Sequence, residues 1–268
     1  MKKIVSLVVA ALVMCSCADS FLSEEPVGEF MPEQVESEEN IEGIVIGAYA
    51  VLDGYYASDA INSGCSNWQF GDVVSDDAYK GGGGTGDQNQ IHLMEIFNAN
   101  PTGIDFEARW AALYEGVKRC NQAIRLLSNS TVKNKEQRLA EMRFLRGHYY
   151  FNLKVIYNLI PWIDETVVDP NEYHTKSNME FTSDQLWEKI LGEFSAAYQV
   201  LPESQSDYGR PTKMAAKAYM AKVYLYQSKW KECLSACDEV IQSGKYTLYP
   251  DFREVFLPEN DNNSEIIF

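Results

Sequence analysis

The sequence predicts an all-α protein built from packed helix pairs with long irregular loops between some of them. Apolar residues recur at three- and four-residue steps through most of the chain after residue 104, the spacing of one face of an α-helix. The last two predicted helices together span residues 212–243, close to the roughly 34-residue period of tetratricopeptide repeats. The 46% apolar composition of the 268 residues is sufficient to bury a core. We therefore expect tetratricopeptide-like helix pairs.

The charge balance excludes one large class of function. The chain carries 23 Lys and Arg against 39 Asp and Glu, a formal net charge of −16. A protein that binds nucleic acid needs a basic surface for the phosphate backbone. A nucleic-acid partner is therefore not expected.

The first residues have the composition of an export signal. Lys2 and Lys3 precede an apolar run at residues 4–14 that Ser6 alone interrupts. This run is too short to cross a hydrocarbon core of about 30 Å as a helix, as expected for a signal peptide rather than a membrane span. We assign residues 1–16 to this leader.

The leader ends in a pair of cysteines, which resembles the lipobox of bacterial lipoproteins. In such proteins a cysteine that follows a small residue is acylated and becomes the mature N-terminus. Cys17 is preferred over Cys15, because Ser16 before it is small whereas Met14 is bulky. The alternative is ordinary secretory cleavage near Ala18, with both cysteines incidental.

Three segments follow the leader. Residues 17–38 contain proline, glycine and acidic residues with little periodicity, and we interpret them as the acylated cysteine and a tether. Residues 39–268 form the expected helical domain, and its first helix is predicted at 39–56. Residues 57–104 then break the pattern, and a loop of such length in a compact domain is more often functional than idle.

Local signals mark the next helices. Asp105 is predicted to cap a long helix, and a second helix at residues 135–158 is apolar on nearly all sides and ends before Pro161. Thr182 and Gln185 have the spacing of a capping box at the start of a third.

The last helix pair starts at Thr212 and continues at residues 228–243, with Gly244 at the position of a left-handed cap. Ala221 is small where the partner helix approaches. Several residues on these helix stripes are predicted to lie in the core, namely Trp110, Trp187, Trp230, His148, Cys233 and Cys237. No cysteine or histidine spacing predicts a disulfide or a metal site, so no metal or cofactor is expected.

Several segments occur in the order found in a known family. They are GDVVSDDAYKGGGG at 71–84, RWAALYEGVKRCNQAI at 109–124, AEMRFLRGHYYFNLKVIYNLIPWI at 140–163, GRPTKMAAKAYMAKVYLYQSKWKECLSACDEVIQSGKYTL at 209–248 and NNSEIIF at 262–268. With the lipobox at Cys17, they resemble the SusD/RagB family of nutrient-uptake lipoproteins of Bacteroidetes.

The resemblance implies a helical lipoprotein anchored at the outer membrane and facing outward. It implies a SusC-type TonB-dependent transporter as the partner and a glycan as the ligand, captured for import. Family members are usually about twice this long, with a second half packed around the helix pairs. We therefore expect that this chain lacks that half and that residues 266–268 are a strand cut short.

Glycan recognition needs aromatic faces for the apolar side of a sugar ring and amides or carboxylates for its hydroxyl groups. The irregular segment supplies this mixture, and its candidate ligand-binding residues are Trp68, Tyr79, Asp76, Asn98 and Asn100. None of them is carried over from the family by motif. The competing interpretation is that they pack against the scaffold or shape turns.

Other functions remain open. Paired helices also serve as protein-interaction adaptors that bind no glycan, and the captured nutrient could be a peptide or glycopeptide. The adjacent acids Asp76 and Asp77 suggest a secreted hydrolase as a further alternative. Two carboxylates that are neighbours in sequence do not by themselves have the spacing of a glycosidase pair. The glycines at 81–84 lack the lysine of a phosphate loop and predict a flexible hinge or turn. No enzymatic activity is expected.

Overall fold

A computed structural model describes residues 38–54 and 68–268, and the predicted leader, Cys17 and the start of the tether lie outside these ranges. The described residues form α-helices and no β-strand, so the all-α prediction is confirmed. The helices are α1 (Glu38–Tyr49), α2 (Asn89–Glu95), α3 (Ile104–Asn129), α4 (Lys135–Tyr157), α5 (Pro170–Tyr173), α6 (Ser183–Val200), α7 (Lys213–Tyr226) and α8 (Trp230–Gln242).

Most predicted helix ends are confirmed by their capping geometry. The Thr182 hydroxyl accepts a hydrogen bond from the Gln185 backbone N–H, and the Gln185 side chain accepts one from the Thr182 N–H. Thr212 caps α7, and Gly244 after α8 has the left-handed φ of 65°. The prediction for Asp105 is wrong by two positions, because Gly103 is the N-cap of α3 and Asp105 lies in its first turn.

The long helices pack in chain order. The described contacts join α1 to α3, α3 to α4, α4 to α6, α6 to α7, and α7 to α8. Neighbouring helices thus pack pairwise along the chain, as in tetratricopeptide-like arrays. No helix among the described residues is long and apolar enough to cross a membrane.

Two glycines allow the central helices to approach closely. A Cβ on Gly116 would lie 2.6 Å from the Tyr149 ring, and one on Gly147 would lie 3.0 Å from the Phe194 ring. Tyr149 crosses α3 at this point and donates a hydrogen bond from its hydroxyl to the Ala48 carbonyl in α1, at 2.7 Å. The contacts between α1, α3, α4 and α6 therefore depend on small residues at defined positions.

The same region contains a buried charge network. Arg146 in α4 forms two hydrogen bonds to the Glu193 carboxylate, at 2.8 and 3.1 Å, and also contacts Glu165. Its Nη1 donates to Asn121 in α3 at 2.8 Å. These groups connect α3, α4, α6 and the segment after α4.

The last helix pair is much more exposed than predicted. Trp187 is buried and Trp110 is half-buried, but Trp230 is 64% exposed, so its assignment to the core is wrong. Cys233 and Cys237 are half-buried rather than buried. Of the α8 residues, only Ala236 and Val240 are buried, because α8 packs mainly against a single long helix, α7.

The final residues do not form the expected strand. The Thr247 backbone N–H donates to the Ser264 carbonyl at 3.0 Å, and a single such bond does not build a strand ladder. The Phe268 ring packs against Phe144, with the ring centroids 4.8 Å apart. The terminal segment is therefore an irregular chain docked on the helix array.

Candidate functional site

The described part of the irregular region, residues 68–103, is called the surface segment here. It begins with a π-helical turn at Trp68–Asp72, in which Trp68 is partly exposed. The Phe70 ring of this turn packs edge-on against Phe106 of α3, and the Arg109 guanidinium lies over its face. The turn also contacts α2. The helix array therefore fixes the position of Trp68.

Tyr79 and Lys80 are neighbours with opposite environments. The Tyr79 side chain is 80% exposed, whereas Lys80 is 9% exposed. The Lys80 ammonium donates hydrogen bonds to the backbone carbonyls of Gly84, at 3.1 Å, and Asp87. A cation surrounded by inward-facing carbonyls holds a short loop closed.

The glycine run at residues 81–84 forms this loop. Gly81, Gly82 and Gly84 have φ values of 71°, 77° and 109°, which side-chain-bearing residues rarely adopt. The Gly83 N–H donates to the Asp87 carboxylate at 2.9 Å. The turn interpretation is confirmed, and the glycines are present because the chain wraps around an ammonium group.

Glu95 links the loop to α2. Its carboxylate accepts the Lys80 backbone N–H at 3.0 Å and contacts His92 Nδ1 at 3.2 Å. The hydrogen bond from the Lys80 N–H, with a smaller contribution from His92, lowers the pKa of Glu95. The carboxylate therefore stays ionised, and Tyr79 is held beside α2.

The chain after α2 exposes a second aromatic side chain. Phe97 is 75% exposed and has a φ of 55°, and Ile96 before it is also exposed. Phe97 is not among the candidate residues predicted from the sequence. Its only sequence signal is an aromatic residue directly before a run rich in Asn, Pro and Gly.

The predicted polar residues have different roles. Asn98 and Asn100 are both exposed, but the Asn100 side-chain oxygen accepts hydrogen bonds from the Thr102 N–H and hydroxyl and so shapes a local turn. Asp76 is exposed, with a left-handed φ of 65°. Asp77 accepts a hydrogen bond from the Ser75 hydroxyl within the same turn.

The surface segment thus combines exposed aromatic rings with exposed amides and carboxylates on a folded support. The structure brings Trp68, Tyr79 and Phe97 onto one folded unit formed by the π-helical turn, the Lys80 loop and α2. Such a unit can stack on the apolar faces of sugar rings. Within the described ranges, no group of three His, Cys, Asp or Glu side chains could hold a metal ion.

Comparisons with known proteins agree with this architecture. A SusD-like family model, described as "Starch-binding associating with outer membrane", matches residues 20–225. A SusD-like protein of Formosa agariphila is 23% identical, over 99% of this chain and 51% of the relative.

Two solved structures are similar in fold. A laminarin-binding SusD-like protein has a TM-score of 0.75 and 26% identity, over 87% of this chain and 51% of the other. Surface glycan-binding protein A from Bacteroides thetaiotaomicron in complex with laminarihexaose has a TM-score of 0.70 and 28% identity, over 84% and 47%. The chain spans about half the length of the relatives it matches.

Proposed function

The chain belongs to the SusD-like family, and from this membership we propose that it is a cell-surface lipoprotein that captures glycans. The captured oligosaccharide or polysaccharide is passed to a SusC-type TonB-dependent transporter for import. The protein carries out no catalysis in this proposal and needs no cofactor. Glycan binding by the two solved relatives supports the ligand class.

The observation that carries the proposal is the pair of highly exposed aromatic side chains, Tyr79 and Phe97, on the folded surface segment. Exposed aromatic rings on a folded support are available to stack on the apolar faces of sugar rings. Trp68, Asp76, Asn98 and Asn100 are the other proposed contacts. The net charge of −16 favours neutral glycans over polyanionic ones.

A glycan array on the purified protein tests the proposal, with Tyr79→Ala and Phe97→Ala as variants. Tyr208→Ala is the matched control, because Tyr208 is also 80% exposed but lies outside the surface segment. We expect each of the first two variants to weaken glycan binding at least tenfold and the control to retain it. Equal binding by all three would contradict the site, and hydrolysis of the glycan would contradict the non-enzymatic role.

The anchor is proposed at Cys17, since burial of acyl chains provides membrane affinity. We expect Cys17→Ser to release the protein from membranes and to lose label from a fatty-acid analogue. Cys15→Ser is the control and should keep both. Label retained on Cys17→Ser would contradict the assignment.

A second function, a protein-interaction adaptor, is favoured by the exposed apolar residues Trp230, Leu234 and Ile241 on α8. The glycan array separates the two functions. An adaptor would bind none of the nutrients tested, whether glycan, glycopeptide or peptide. A transporter that co-purifies with the native lipoprotein and is lost in Cys17→Ser would support the proposed uptake partner.

A further inference from the structure

A cleft of about 360 Å³ lies between α3 and the segment that follows α4. One wall is a face of α3 that includes Trp110, Ala111 and Tyr114, and the opposite wall includes Tyr173 of α5. The cleft shares no lining residue with the surface segment. Its volume lies in the range of about 300 to 1,000 Å³ that is typical of small-molecule sites.

The two walls are fixed to each other by hydrogen bonds. The Tyr114 hydroxyl donates to the Pro161 carbonyl at 2.7 Å, and the Asn121 amide donates to the Ile163 carbonyl at 2.9 Å. Burial raises the pKa of Tyr114, so its phenol stays protonated and remains a donor. A preformed cleft of this kind binds a ligand at a low ordering cost.

The lining combines aromatic rings with two side chains of opposite charge. Trp110 and Tyr114 have ring centroids 4.7 Å apart, and Trp110 is half-buried, so part of it remains accessible. Glu115 and Lys118 also line the cleft, with their charged atoms 3.8 Å apart. Glu115 also forms a closer ion pair with Arg119, at 2.9 Å, and Lys118 and Glu115 offer a donor and an acceptor to a ligand.

We propose that this cleft is a second carbohydrate site, which binds one neutral pyranoside ring of a glycan. The aromatic wall contacts the apolar face of the ring, and Glu115 and Lys118 bind its hydroxyl groups. A sugar hydroxyl is both a donor and an acceptor, so it can pair with either of these side chains. The ligand class rests on the proposed function, but the residues are separate from those of the surface segment.

Calorimetric titration of the purified protein tests the site, with methyl β-glucoside and laminarihexaose as the probes. Ala111→Trp fills the cleft from an exposed position and Tyr173→Ala removes one wall, so neither change disturbs the core. We expect both variants to weaken methyl β-glucoside binding at least tenfold. Tyr79→Ala should weaken laminarihexaose binding and leave the glucoside affinity within twofold, and Tyr208→Ala should change neither.

The outcomes separate the two proposals. Cleft variants that bind the glucoside within twofold of the unsubstituted protein, with unchanged melting curves, would overturn the cleft site and leave the proposed function intact. Laminarihexaose binding without any glucoside binding would do the same. Binding of neither sugar would overturn the cleft site, and the glycan array then decides the proposed function separately. Capture of a tyrosine-containing tripeptide instead of the glucoside, lost in both cleft variants, would show a peptide site and overturn the carbohydrate assignment.

Discussion

The central helix α4 and the final helix α8 both carry apolar residues at helical spacing but lie in opposite environments. α4 is covered by α3 on one side and α6 on another, and most of its apolar residues are buried. On α8, Trp230 and Ile241 remain exposed. Helical periodicity therefore predicts which side chains share a face, whereas the neighbouring elements decide whether that face is covered.

The two regions also differ in how they hold charge. Arg146 in α4 is buried and paired on several sides, whereas Arg253 beyond α8 is 88% exposed and pairs with Asp251 in solvent. Buried pairs strongly destabilise a protein when one partner is removed, and exposed pairs rarely matter. Substitutions in the centre should therefore be costly, and equivalent substitutions at the edge should be tolerated.

The two tryptophans offer the sharpest contrast. We expect Trp187→Ala to lower the free energy of unfolding by about 3 to 5 kcal/mol, because a large buried side chain is replaced by a cavity. Trp230→Ala should change it by less than about 0.5 kcal/mol, since the side chain is already in water. Urea unfolding curves of both variants give the two values, and equal losses would mean that α8 is covered in solution.

Removal of the central arginine should cost nearly as much. Arg146→Met leaves the Glu193 and Glu165 carboxylates without their main cation, and the expected loss is about 3 to 5 kcal/mol. Arg253→Met is the matched control and should not move the unfolding midpoint. A central variant as stable as the control would show that Glu193 and Glu165 find other partners.

A smaller effect is expected at the helix crossing. Gly116→Ala places a Cβ against the Tyr149 ring, and this overpacking should cost about 1 to 3 kcal/mol. Gly192→Ala, in an exposed helical position with no atom within 4 Å of the new Cβ, should stabilise the protein by about 0.5 to 1 kcal/mol. Thermal melts of the two variants should shift in opposite directions, and parallel shifts would contradict the close approach of α3 and α4.

The contact between the centre and the last pair should depend on pH. His148 in α4 contacts the Tyr219 hydroxyl of α7 at 2.8 Å. Burial, together with the nearby charges of Lys222 and Arg109, lowers the pKa of His148 from 6.5 to about 3. At pH values between the two pKa values, the unfolded state binds more protons than the folded state. Stability is therefore complete above about pH 6.5 and falls as the pH decreases towards 3.

The free energy of unfolding is expected to fall by at most about 1.4 kcal/mol for each pH unit of acidification. Urea unfolding between about pH 7 and pH 5, where few carboxylates titrate, measures it. His148→Gln keeps a polar side chain at the position and should flatten this slope. An identical slope in the variant would assign the pH dependence to other groups.

Local chemistry made much of this fold predictable. The caps at Thr182, Thr212 and Gly244 depend on residues within a few positions, so the sequence alone identifies them. The exposure of Trp230 could not be predicted, because it depends on whether another element covers α8. For the candidate site, the sequence indicates an irregular region and five residues within it, which stay predictions. Phe97 is not among them, because the exposure of an aromatic ring depends on which neighbouring elements cover it.

The adjacent Tyr79 and Lys80 have separate roles, because Lys80 stabilises the loop and Tyr79 exposes a ring to solvent. Lys80 holds the loop through backbone carbonyls, which every residue type provides, and Tyr79 projects away from this support. Replacement of Tyr79 by another residue would therefore leave the fold of the loop unchanged. If Tyr79 contacts the glycan as proposed, such an arrangement would allow specificity to diversify by single substitutions at one position, without compensating changes elsewhere in the chain.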